Sequence, residues 1–269
     1  MSKVTCVAPW FGSNRMLAHR VGELLEGCPW VGIPFAGGMA EVPHITARTI
    51  NVNDLHRQVI NLASVMAHPV MGPKLYRMLR REIFHPDTLA KAQRYCGEAP
   101  LRKDDLLLWA KNYFISAWMS RHGEAGTKRE FSAGMSTRWN AGGGDSAAHY
   151  HGAVRAILDL RRTLTRCNFT CLDWRVFLQK CKDEMESAIY CDSPFFGPGD
   201  RYVHTFTEQD HRDLAAALDR YQHARIVCRY YRTEFVERLY PTDRWTWLDL
   251  VGRKQTNDTG PEVLITRNA

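Results

Sequence analysis

The chain has 269 residues, 45% of them hydrophobic and 24% charged, and a formal net charge of +7. That length builds one α/β domain with room for a smaller inserted unit, and no apolar run approaches the roughly 20 residues a membrane helix needs, so no membrane partner is expected. The excess of cations suits a polyanionic partner, because cationic side chains displace counterions from phosphates, and much of it falls between Arg77 and Arg175.

The opening residues lack both a long apolar core and a small-residue cleavage site, so no secretory leader is expected and a cytoplasmic location is. Trp30–Phe35 is a short apolar run ending in Ala36-Gly37-Gly38, the pattern of a buried strand entering a tight turn. Thr49–Asn53 reads as a second strand ending at Asp54, followed by a helix carrying Leu55, Val59, Leu62 and Met66 up to the stop at His68-Pro69. From Gly72 to about His122 the pattern is helical and basic, and Gly123–Ser146 is polar and glycine-broken, the composition of an extended functional loop. The α/β pattern resumes with Thr170–Leu172, a helix over Trp174–Lys182 and a strand at Ala188–Cys191. Thr207-Glu208-Gln209-Asp210 has the form of a capping box, and strands are expected at Arg225–Tyr231 and Val263–Thr266. The eight cysteines form no CxxC pair, so reduced, mostly buried thiols are expected.

Two segments carry chemistry. Pro34-Phe35-Ala36-Gly37-Gly38 stands some 16 residues before Asp54. In a doubly wound sheet that spacing puts a glycine turn and a carboxylate where an adenosine-containing cofactor binds, with Asp54 placed to accept from both ribose hydroxyls. A plain strand-to-helix turn with a capping aspartate gives the same pattern. Asp192-Ser193-Pro194-Phe195 offers a carboxylate, a carbonyl before a proline, and an aromatic ring. Those groups suit methylation of the exocyclic amine of a base: the carboxylate and the Ser193 carbonyl accept its two N–H groups, localising the lone pair, and the ring stacks on a flipped-out base. An ordinary turn after a strand accounts for the same four residues.

Taken in order, the segments resemble the Dam-like class of S-adenosylmethionine-dependent DNA adenine N6-methyltransferases nearly end to end. Pro9-Trp10-Phe11-Gly12-Ser13-Asn14-Arg15 resembles the family's Trp-x-Gly-Gly-Lys segment, and Pro34–Gly38 its cofactor loop. Asn53-Asp54 resembles its ribose-binding acid, and Ile189–Phe195 its strand-borne Asp-Pro-Pro-Tyr. Arg201–His204, Asp210–Leu214 and Glu262–Thr266 match later segments.

The resemblance implies a doubly wound, mixed, mostly parallel sheet of the class I methyltransferase type over residues 1–68 and 155–269, interrupted by a helical recognition lobe over 69–154. It implies that Trp10, Asn14, Asp54 and Asp192 contact S-adenosylmethionine, that Phe35, Gly37 and Gly38 shape its pocket, and that Asp173 lies near its adenine. Asp192, Ser193, Pro194 and Phe195 become the catalytic set, with S-adenosylhomocysteine as product and no metal. Lys128, Arg129, Arg138, Trp139, Asn140, Arg201 and Tyr202 become the groups facing duplex DNA. A bacterial or phage origin is implied, with a monomer, or a dimer on DNA, as the working form and a restriction partner left open.

Three departures stand out. Asn14 replaces the family's lysine, with Arg15 beside it to supply the charge. Ile33 replaces the acid before Pro-Phe, and Ser193 and Phe195 alter the catalytic motif. The alternatives are a cytosine N4-methyltransferase and a DNA-binding homologue whose catalytic motif has weakened; a dinucleotide dehydrogenase would need a fuller GxGxxG. His149 and His151 lack partners at metal-ligand spacing, Glu41 reads as a solvated or first-turn carboxylate, and Trp109, Trp118, Trp174, Trp245 and Trp247 read as core, with Trp139 set apart as a base-stacking candidate.

Overall fold

The computed structural model describes residues 4–13, 15–98, 104–121, 124–137, 145–196, 201–250 and 262–267. The elements in chain order are α1 (Ala18–Leu24), β1 (Trp30–Ile33), β2 (Thr49–Asn53), α2 (Arg57–Ala67), α3 (Met71–Leu79), α4 (Pro86–Glu98), α5 (Leu106–Met119), α6 (Ser146–Leu164), β3 (Cys167–Thr170), α7 (Trp174–Lys180), β4 (Ser187–Cys191), α8 (Glu208–Leu218), β5 (Arg225–Tyr231), α9 (Glu234–Leu239), β6 (Thr246–Asp249) and β7 (Glu262–Arg267). The strands form one sheet in the order β3-β2-β1-β4-β5-β7-β6. Its first five strands run parallel, and β7 lies antiparallel to both β5 and β6.

The central strands β1 and β4 are almost wholly apolar because the sheet is packed on both faces. Every residue of β4 is buried. Ala188 and Tyr190 join Val31, Ile50 and Leu264 in one core, whereas Ile189 and Cys191 join Trp174, Leu214 and Ile265 in the other. The first core runs without a break into the helices: Leu75, Leu79, Leu89, Trp109, Phe114 and Tyr150 belong to the same cluster as Val59 and Val31. The boundary expected at 154/155 falls inside α6, a 19-residue helix started by Asp145, whose side chain accepts the Ala148 N–H.

Several edges differ from the sequence expectation. The helix after β2 starts at Arg57, because the His56 side chain caps it by accepting the Val59 N–H, and Leu55 is left exposed. The third strand is Cys167–Thr170; Leu172 is drawn out of it when its N–H donates to Asn53. The stretch expected as a polar loop holds buried Ala125, Thr127, Glu130 and Ala133. The capping box at Thr207 and Asp210 forms with both hydrogen bonds present. All eight cysteines are free, and only Cys171 is exposed. Among the described residues no helix is long and apolar enough to cross a membrane.

Candidate active site

β1 lies between β2 and β4, so the chain leaves the sheet in opposite directions on either side of it. A crevice opens outside the carboxyl ends of the strands at such a switch point. Here it is a cleft with about 990 Å³ of empty space, open solvent at its mouth included. Its walls are residues 10–13, 34–38, 54–56, 172–175 and 204–206, together with Glu41, Gly126, Asp192, Pro194, Tyr202 and Asp210. Trp10, Phe35, Gly37, Gly38, Asp54, Asp173, Asp192, Pro194 and Tyr202, singled out from widely separated parts of the sequence, all line it.

The turn after β1 is pinned to the end of β2. Asp54 Oδ2 accepts the Gly37 N–H and Oδ1 accepts the His56 N–H, each at 2.8 Å. A carboxylate offers about four acceptor positions, so both oxygens keep capacity toward the cleft. Asn53, which the sequence reading treats only as the neighbour of Asp54, ties three segments together. Its Nδ2 donates to the Pro34 and Leu172 carbonyls, and its Oδ1 accepts from Leu172 N–H and the Thr170 hydroxyl.

The glycines have a neighbour in the protein itself. A Cβ on Gly37, whose φ is +45°, would lie 2.8 Å from the Trp10 ring, and one on Gly126, at φ +80°, only 2.3 Å from it. One on Gly38 would meet the Trp10 Cβ at 2.8 Å and the Ala8 carbonyl. These glycines seat the indole that walls the cleft.

Asp192 extends from the end of β4 and meets Arg229, a β5 side chain only 2% exposed. Arg229 Nη1 donates to Asp192 Oδ2 at 2.9 Å and to the Gly12 carbonyl at 3.0 Å, while Nε and Nη2 donate to Glu262 Oε2 at 3.3 and 3.1 Å. Burial pushes the Asp192 carboxyl above its ordinary value, and the charge of Arg229 opposes the shift without cancelling it. Arg229 escapes a motif search, although a lone charge inside the apolar run Ile226–Tyr231 is itself a sign of a buried ion pair.

Ser193 and Phe195 do not line the cleft. The Ser193 hydroxyl donates to the Tyr230 hydroxyl at 3.0 Å in the core. Phe195, expected as the wall that stacks on a base, is 7% exposed, with its ring 4.6 Å from Tyr231 and the Arg229 guanidinium 5.1 Å from its centre. The hydrophobic gain from burying a phenyl ring, together with these ring contacts, holds it inside.

At the opposite end Phe35, Trp174 and Phe206 meet edge to face or tilted at 5.6–6.2 Å. Asp173 caps α7, its Oδ1 accepting the Arg175 N–H, and Arg175 lies 4.3 Å over Trp174 while pairing with Asp210. Glu41, expected to be solvated, is 8% exposed and lines the cleft. It follows the tight turn into the Val42–His44 helical turn, and the packing of buried Met39, Ala40 and Val42 carries it inward. Burial, reinforced by the charge of Asp192, pushes its carboxyl up to about 7 against the pull of Arg229.

The remaining wall is stitched from three segments. The Phe11 N–H donates to Ala125 O, Lys128 N–H to Arg201 O, Val203 N–H to Gly126 O, and the Tyr202 hydroxyl to Phe11 O. Beneath it His56 Nε2 meets Glu130 Oε1 at 2.8 Å, both side chains buried, and Glu130 Oε2 accepts the Gly126 N–H. Lys128, Arg129 and Arg201 are exposed outside the cleft, with the Arg201 guanidinium 5.1 Å over Phe11. Arg15 is exposed and does not line the cleft. Asn14, Arg138, Trp139 and Asn140 lie outside the described residues. Among the described residues no group of three or more His, Cys, Asp or Glu side chains is arranged to hold a metal ion.

No protein-family model matches the sequence, and no curated protein matches it.

Proposed function

We propose that this protein transfers a methyl group from S-adenosylmethionine to the N6 amine of adenine in duplex DNA. The observation that carries the reading is the convergence of Asp54, the turn at Gly37 and Asp192 on one cleft at the switch point of a mostly parallel sheet. Asp54 has acceptor capacity for ribose hydroxyls, and the Phe35–Trp174–Phe206 end, with Asp173 beside it, suits an adenine ring with an exocyclic amine. Asp192 would accept one N–H of the target amine through the oxygen that Arg229 leaves free, aiming the nitrogen at the methyl group. The target base has to leave the duplex to reach it. The exposed cations Lys128, Arg129 and Arg201 belong to the segments that build the cleft wall, Lys128 N–H donating to Arg201 O and the Arg201 guanidinium lying over Phe11, and would meet phosphates.

One observation favours a second reading, a donor-binding, DNA-binding protein with weakened catalysis: Asp192 is held by a buried arginine while Phe195 is withdrawn into the core. Incubating the protein with duplex DNA and methyl-labelled S-adenosylmethionine, then digesting the DNA to nucleosides, separates the readings. Label in N6-methyl-2′-deoxyadenosine supports methyl transfer to adenine. Label in N4-methyl-2′-deoxycytidine moves the target to cytosine, and unlabelled DNA from a protein that binds the donor supports the second reading.

A further inference from the structure

The inner end of the cleft carries more negative than positive charge. Asp192, Glu262 and Glu41 gather around one cation, Arg229, which spends its donors on Asp192, Glu262 and the Gly12 carbonyl. Glu41 is more than nine-tenths buried, lines the cleft, and among the described residues its carboxylate accepts from no group except its own backbone N–H. The other groups facing it do not neutralise it: Tyr190 and Cys6 are buried acids held protonated by desolvation. A buried carboxylate without a partner is costly, because nothing replaces the water it leaves, so such a group facing a cleft points to a missing cation.

We infer that Glu41, beside Asp192, is the anionic floor that receives the sulfonium charge of S-adenosylmethionine. The inference rests on the methyl-donor reading above. It follows from position: Asp192 is the group assigned to the attacking amine, so the carboxylate beside it faces the sulfur that bears the methyl. It also accounts for a departure from the family pattern, since Ile33 withholds the usual acid before Pro34-Phe35 and Glu41 returns a carboxylate to the cleft from further along the turn. Donor and product differ there by one unit of charge: S-adenosylmethionine carries the sulfonium, and S-adenosylhomocysteine is a neutral thioether with the same ammonium and carboxylate. The floor therefore holds the donor and releases the product.

The test is calorimetric titration of the full chain with each compound. The wild type binds S-adenosylmethionine more tightly than S-adenosylhomocysteine. Glu41→Gln, which keeps the volume and removes the charge, weakens the donor about ten-fold and leaves the product nearly unchanged, and Glu41→Asp restores part of the preference. A second readout needs no variant. Near pH 7 the Glu41 carboxyl is partly protonated, so an arriving sulfonium drives a proton off it. Titrations in buffers of different ionisation heat should show proton release for the donor and none for the product. Equal losses for both compounds in Glu41→Gln, or equal proton release with both, overturn the assignment. A wild type that binds neither compound removes the methyl-donor reading itself, and the floor with it.

Discussion

Replacing Arg229 with methionine tests the ion network on which Asp192 depends. The change removes a guanidinium that is 2% exposed from between two carboxylates whose side chains are 19% and 17% exposed, and it deletes the tie to the Gly12 carbonyl. Breaking a buried pair by removing one partner costs ~3–5 kcal/mol, and the residual solvent access of both acids puts this case toward the lower end. At roughly 2–4 °C per kcal/mol for a chain near this size, the melting temperature falls by about 6–12 °C. The sign of the pH dependence is fixed as well. Asp192 already has its carboxyl raised by burial, and losing the opposing charge of Arg229 raises it further. A carboxyl raised in the folded state loses stability as pH climbs through the ordinary carboxylate range, near 4, toward its folded value. The deficit of Arg229→Met should thus be small at pH 4.5 and large at pH 8, and Arg229→Met/Asp192→Asn should recover part of it. Thermal unfolding of the three proteins at both pH values reads this out. A deficit that is flat with pH, or below about 1 kcal/mol, would show that the network is not the buried charge cluster described here.

Other consequences follow from the same geometry. Ser193→Ala removes a buried hydrogen bond to Tyr230 and should cost about 1 kcal/mol in denaturant unfolding while changing methyl transfer little, because the hydroxyl points away from the cleft. For His56, burial opposes the charged form, but the hydrogen bond and charge of Glu130, with Asp54 behind it, leave the imidazole raised overall. Its stabilisation is complete below the ordinary histidine value, about 6.5, and is lost as pH rises through the raised one, so Glu130→Gln should destabilise more at pH 6 than at pH 9 in thermal scans. Lys128→Ala/Arg129→Ala should flatten the salt dependence of duplex DNA binding by about two units of slope, since each phosphate contact contributes about 0.9. Lys182→Ala/Arg220→Ala, at exposed positions leading into the amino ends of β4 and β5, is the matched control and should leave the slope as it is.

Residues legible in advance were those whose local pattern carries its own physics. β1 and β4 are short apolar runs running into a turn at Pro34 and at Asp192, β2 alternates buried Ile50 and Val52 with polar residues up to Asp54, and the Thr207 capping box is defined by spacing alone. α1 has no side-chain cap to announce its start, and the Asp145 cap of α6 directly follows a glycine run that reads as loop, so a domain boundary is expected inside α6. Burial of polar groups was the hardest feature to read. Nothing local distinguishes Glu41 from a solvated first-turn acid; its place is set by the chain packing around it. Arg229, Glu262 and Asp192 meet only when three strands from distant parts of the sequence pair. Phe195 shows the converse: an aromatic beside a catalytic-looking acid reads as a cleft wall, whereas the pull of the second core takes it inward.

The most direct measurement is the modification state of a plasmid propagated in a methylation-free host that expresses this chain, with every base read for methylation. The account predicts N6-methyladenine confined to one short sequence motif, present with the wild type and absent with Asp192→Asn, whose protein still binds S-adenosylmethionine. An unmodified plasmid from cells holding folded, donor-binding wild type, or a pattern that persists unchanged in Asp192→Asn, contradicts it.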